Sequence, residues 1–316
     1  MSNQFKNVAN ALVPLALFSS ATACAQTQTL PAPVPDVRVA AETLELAEAE
    51  PSGPALWQVS DEDTTIYLFG TIHALPPEIE WFDAEIGQAL AASDVIVTEI
   101  EVDEATEAAM QQLVLSRGVL PPGTTLRTLL SDDQSTTYDE ALGKLGLPTN
   151  AFDQLEPWLA GLTLTTLPLL QQGYSTDAGV EKVLIDRAGE IDRGALETIE
   201  FQIGIFDGLS EASQVQFLME AAEGIDEIKP ILDAMVETWV RGDADGLATL
   251  MNEGLTDPEV AEKLLFSRNR NWADWIDTRL DSPGTVFIAV GAGHLAGNNS
   301  VQDYLAEREI PAVRVQ

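Results

Sequence analysis

The chain holds two histidines in 316 residues, and both close the same four-residue pattern. His73 ends Gly-Thr-Ile-His within TIYLFGTIHALPP (65–77), and His294 ends Gly-Ala-Gly-His within TVFIAVGAGHLAG (285–297). Glycine makes up roughly 7% of an average sequence, so its presence three places before both histidines by chance is on the order of one in two hundred. A glycine that closes a strand permits a sharp turn and a close approach of backbone, which lets the next side chains project from the end of a sheet. In open α/β sheets, ligands bind outside the carboxyl ends of the strands. Two carboxylates stand at predicted strand ends as well: Glu99 after DVIVT, with Glu101 competing for the same role, and Glu197 after GAL. Two imidazoles with one or two carboxylates suit Zn, Mn, Co or Fe without any thiolate. The plainer reading makes each histidine a hydrogen-bonded structural group and each acid a surface charge. Arg268 and Asn269, in FSRNRNW (266–272), stand out because arginine is scarce here, although Arg268 could serve a surface ion pair. Trp272 and Trp275, at helical spacing, are expected in the core.

Hydrophobic period and turn chemistry predict the strands and helices that carry these residues. LWQVS and TIYLFG flank the turn-like DED as a hairpin. WFDAEIGQALAAS has helical spacing, and DVIVTEIEV is a β-rich run. From about 104 to 170 the signals are helical, with Pro and Gly as punctuation. In WLAGLTLTTLPLL, Pro168 predicts a kink or an end of a core helix. A helix in GYSTDAGVEKVLIDRAGE precedes a short strand in IDRGALETIE that ends at Glu197. A long helical block then leads to the strand TVFIAVG, the loop of His294, a helix near SVQDYLAERE and a last strand, AVRVQ. This predicts an α/β (α+β) fold: a central mixed sheet built from N- and C-terminal strands, with an inserted, mostly helical region.

Composition narrows the function classes. With 51 acidic and 16 basic residues the formal charge is −35, which opposes binding to nucleic acid or to an anionic membrane surface. The acids are spread over amphipathic segments, so a heavily solvated surface accounts for most of them, and attraction of cations or cationic peptides is the functional alternative. Residues 1–24 read as an export signal of lipoprotein type: Lys6, the apolar ALVPLALF and SSATAC before Cys24, the only cysteine. Cys24 stands where a lipobox cysteine would be acylated; cleavage after Ala25 is the competing reading. Residues 25–54, rich in Ala, Pro, Thr and Glu, read as a flexible tether, and 55–316 as the folded domain. A second cysteine is lacking, so no intramolecular disulfide forms.

Five segments, YLFGTIHALPP, VIVTEIE, LETIEFQ, FSRNRNWADWI and FIAVGAGHLAG, resemble in order and spacing the TraB/GumN family, which is related to the Tiki proteins and more remotely to the erythromycin esterase superfamily. The likeness runs from about residue 55 to the C-terminus. It implies an active site around His73 and His294, with Glu99 and Glu197 as metal ligands or base. It makes Arg268 a catalytic candidate as well, and Arg268 and Asn269 second-sphere or substrate-contacting groups. It further implies a metal-dependent peptidase using a divalent metal, Mn or Co, with Zn possible. One departure is Asn298–Ser300, where many relatives place glycine. The expectation is therefore an exported, lipid-anchored metal-dependent hydrolase of the bacterial cell envelope, acting on a peptide or protein substrate and touching the membrane only through its lipid. The alternatives are a peptide- or metal-sequestering protein without turnover, and a metal-free hydrolase in which a histidine is the base.

Overall fold

The computed structural model describes residues 53–252 and 257–316; the signal segment, Cys24 and nearly all of the tether lie outside the described residues. β1 (Leu56–Ser60) and β2 (Thr64–Thr71) form the expected antiparallel hairpin, its turn fixed by Asp61 Oδ1, which accepts from the backbone N–H groups of Asp63 and Thr64. α1 (Ala84–Ala91) starts at Asp83, whose carboxylate accepts from Ile86 N–H, and leads to β3 (Val95–Thr98). Four helices come next: α2 (Glu104–Arg117), α3 (Asp132–Lys144), α4 (Pro157–Gln171) and α5 (Val180–Ala188). After β4 (Asp192–Ala195) come α6 (Ile199–Asp207), α7 (Glu211–Glu223), α8 (Ile228–Val240), α9 (Ala244–Asn252), α10 (Pro258–Ala261) and α11 (Ser267–Leu280). β5 (Gly284–Gly291), α12 (Val301–Ala306) and β6 (Val313–Arg314) close the chain.

The six strands lie in the order β4-β3-β5-β2-β1-β6. β4, β3, β5 and β2 run parallel, and β1 is antiparallel to both of its neighbours. The sheet is mixed, as expected, and takes one strand, β4, from the middle of the chain. Alternation along β2 and β5 explains why both faces are covered. Ile66, Leu68, Val286, Ile288 and Val290 pack with Trp272, Ala273 and Ile276 of α11 on one face. Phe69, Phe287 and Ala289 pack with Trp81 and Trp239 on the other. Each such large side chain contributes about 1.5–3 kcal/mol on burial.

Local differences from the expected elements have simple causes. β3 stops at Thr98 because the Thr98 hydroxyl donates to the Ile100 carbonyl (2.6 Å) and turns the chain, so EIEV is not strand. α4 passes through Pro168 and ends three residues later; in the last turn the missing N–H costs one bond at most. α4 is buried nearly all round, yet among the described residues no helix is long and apolar enough to cross a membrane. The last strand shrinks to two paired residues, and the His294 loop is a 3₁₀ turn, Ala292–Leu295.

Candidate active site

The four parallel strands end within two residues of one another. Thr71 stands opposite Gly291, and Thr98 opposite both Ala289 and Ala195. His73 comes after β2, Glu99 after β3, Glu197 after β4 and His294 after β5, so the sheet delivers all four expected side chains to its carboxyl edge. The two motif glycines are required by close approach. A Cβ on Gly70 would stand 3.0 Å from Ala292 Cα, and one on Gly291 would stand 3.2 Å from Glu99 Oε1. Gly291 N–H also donates to that oxygen at 2.8 Å.

Arg268 lies at the centre and is 1% exposed. α10 passes into α11 through one widened π turn, Glu262–Phe266, a feature common at functional sites. All five of its N–H donors are used: Nε to Glu197 Oε1 (2.8 Å), Nη1 to Leu264 O (3.1 Å) and His294 Nε2 (3.0 Å), Nη2 to Glu99 Oε2 (2.5 Å) and Glu197 Oε2 (2.8 Å). Gln202 Nε2 donates to Glu99 Oε2 (2.9 Å) and Glu197 Oε2 (3.0 Å), and Trp272 Nε1 donates to Glu197 Oε1 (3.0 Å).

The two histidines occupy opposite electrostatic settings. His294 is fully buried, with Nδ1 2.5 Å from Asn269 Oδ1. A guanidinium can only donate, so Nε2 is the acceptor and Nδ1 carries the proton. Burial pulls its pKa well below the ordinary value, and the charges of Arg268 and His73 add to the effect; the ring is neutral. Trp272 packs on it with ring centroids 4.3 Å apart. Asn269 is tied down in turn, its Nδ2 donating to Asn299 O (2.7 Å). Asn299 has φ of 59°, a conformation that asparagine tolerates and that explains how the loop manages without glycine at this position.

His73 holds its proton against Glu181: Nδ1 and Glu181 Oε1 are 2.5 Å apart, and Thr71 Oγ1 donates to the same oxygen. Burial lowers the His73 pKa, but the charge and hydrogen bond of Glu181, with Glu99 beyond, outweigh it and the net shift is upward. Glu181 shifts down: burial opposes its charge, and His73 and Thr71 more than compensate. His73 Nε2 is buried and has no partner. His73 lines a cleft with a cavity volume of about 90 Å³, also bordered by Glu99, Glu101, Met110 and Glu181. The His73 loop leans on Gly179, where any Cβ would run into the His73 carbonyl. Gly179→Ala is therefore expected to cost about 1–3 kcal/mol by urea unfolding and to lower any turnover at least about tenfold; unchanged stability would mean that this contact yields freely.

The sequence model of the TraB/PrgY/gumN family matches residues 55–314. The chain belongs to this family. Comparison with curated proteins and with solved structures gives no match.

In this TraB/PrgY/gumN-family domain, His73, Glu99, Glu197, His294 and Arg268 meet in one cluster, and Glu99 rather than exposed Glu101 is the buried carboxylate after β3. Two expectations change. Arg268 and Asn269 are buried and lie outside the cleft lining; Arg268 holds Glu99, Glu197 and His294, and Asn269 links His294 to the Asn299 carbonyl. Trp272, expected only in the core, binds Glu197 and stacks on His294. A divalent metal held by His73, His294, Glu99 and Glu197 does not fit this arrangement. The Arg268 cation already takes His294 Nε2, both Glu197 oxygens and Glu99 Oε2, and among the described residues no three or more His, Cys, Asp or Glu groups form a ligand set. Sequence reasoning missed Glu181, Gln202 and the site role of Trp272.

Proposed function

We propose that the protein is a hydrolase, acting on peptides, in which His73 moves the proton. One observation carries the reading: His73 lines the cleft, with its Nε2 buried and unpartnered and its Nδ1 held by Glu181. A histidine oriented at one nitrogen by a carboxylate and free at the other suits a general base. Nε2 takes a proton from a water in the cleft as the water oxygen bonds to the peptide carbonyl carbon, Glu181 stabilises the imidazolium, and the imidazolium gives that proton to the amine nitrogen as the C–N bond breaks. Glu99, its charge balanced by Arg268, borders the same space and orients the water through Oε1. His294, neutral, keeps Arg268 in place. Metal-assisted hydrolysis, as the resemblance implies, is not part of this proposal, because Arg268 holds His294 Nε2, both Glu197 oxygens and Glu99 Oε2. Export and attachment through Cys24 rest on the N-terminal sequence alone.

Two measurements test the reading on the protein acting on a library of blocked peptides. Exhaustive chelation is expected to leave cleavage unchanged; loss of cleavage and its recovery on adding Mn, Co or Zn would replace the metal-free reading with the metal-dependent one. Intact peptides released after stoichiometric capture would make the site a sequestering one. The base must be neutral to act, and its pKa is raised, so kcat/KM is expected to rise with pH through a value above the ordinary imidazole figure of about 6.5. In Glu181→Gln the burial effect remains without the carboxylate, so this limb should move to lower pH while kcat falls. A limb that stays in place would separate Glu181 from the base.

A further inference from the structure

We propose that the cleft selects a lysine or arginine side chain, its alkyl stem lying along Ile100, Val102 and Met110 and its charged end meeting Glu101 and Glu107. The inference rests on the hydrolase reading for its orientation, because His73, whose Nε2 is unpartnered, lines the same cleft. Among the cleft's charges, Glu181 is balanced by His73 and Glu99 by Arg268. Lys182, also in the cleft lining, pairs with Asp177 and attracts Glu107 only at longer range. Glu101 and Glu107 are left with no side-chain hydrogen bond or ion pair among the described residues, on a rim whose other charges are matched. Below them the wall is apolar: Met110 is 3% exposed, and Ile100 and Val102 are partly buried. An apolar channel with carboxylates at its mouth matches a side chain that is methylene along its length and cationic at its tip. A plain alkyl chain would leave the carboxylates unused, and an acidic chain would be repelled.

The test uses blocked pentapeptides that differ only at the central residue: lysine, arginine, norleucine or glutamate. Affinity is measured calorimetrically with the full domain carrying His73→Gln, so that binding is read without turnover, and kcat/KM is measured with the unsubstituted protein. Lysine and arginine peptides are expected to bind about tenfold or more tightly than norleucine, which keeps the stem and lacks the charge. Glu101→Gln with Glu107→Gln should erase that difference and leave norleucine affinity unchanged. Glu62→Gln with Glu307→Gln, two exposed acids away from the cleft, should preserve it. Equal affinity for lysine and norleucine, or an equal loss in the control pair, would overturn the proposal and reduce the preference to overall charge. If lysine peptides bind selectively yet are recovered intact with the unsubstituted protein, the hydrolase reading fails and the selectivity stands.

Discussion

Arg268→Met is expected to destabilise the protein by about 3–5 kcal/mol in urea or thermal unfolding, the largest stability effect of any single substitution in the site. Glu99 and Glu197 are each more than nine-tenths buried, and Arg268 is their ion-pair partner. Without it two carboxylates lie close together in the interior, bridged only by Gln202, and each must take up a proton or draw in water. The loss belongs to the orphaned charges, since a buried ion cluster is worth little against well-packed neutral groups. Glu99→Gln with Glu197→Gln in the Arg268→Met background should accordingly recover most of the stability and none of the activity. A single-variant loss under about 1 kcal/mol would mean that water reaches the cluster freely.

The second large effect separates the two histidines. His73→Gln is expected to lower kcat/KM by roughly 10³-fold while costing about 1 kcal/mol or less of stability, because glutamine can still donate to Glu181. His294→Ala should behave in the opposite sense. It removes a fully buried ring from Trp272, leaves Asn269 Oδ1 without a donor and one Arg268 N–H without an acceptor, and costs about 2–4 kcal/mol. Parallel unfolding curves and peptide assays check both. Equal behaviour of the two variants would restore the symmetric role that their matching motifs suggest.

The repeated motif was legible because its causes are local. Glycine before each histidine answers to a close approach at a strand end: the 3₁₀ turn after β5 leaves a 3.0 Å clearance at Gly70, and the Glu99 carboxylate leaves 3.2 Å at Gly291. The strand ends carrying Glu99 and Glu197 were legible for the same reason, since parallel strands bring their C-terminal neighbours to one edge. Contacts set by packing over long sequence separations escaped. Glu181 meets His73 across 108 positions, and nothing in VEKVLIDRA distinguishes it from other helix acids. Two signals were available: Trp272 stands one helical turn after Arg268, on the same face, and Gln202 is a polar residue inside the apolar IEFQIGIF. The pairing of Arg268 with both carboxylates had none, and it gives Glu99 and Glu197 a resident cation as partner.

The widened turn at Glu262–Phe266 governs how the chain can change in length. A regular α-helix rotates about 100° per residue, so one residue gained or lost within it swings everything on one side out of line. A π turn absorbs one such residue, and here it stands directly before Arg268, Asn269 and Trp272. The turn thus takes up one residue between α10 and α11 while Arg268, Asn269 and Trp272 keep their common face.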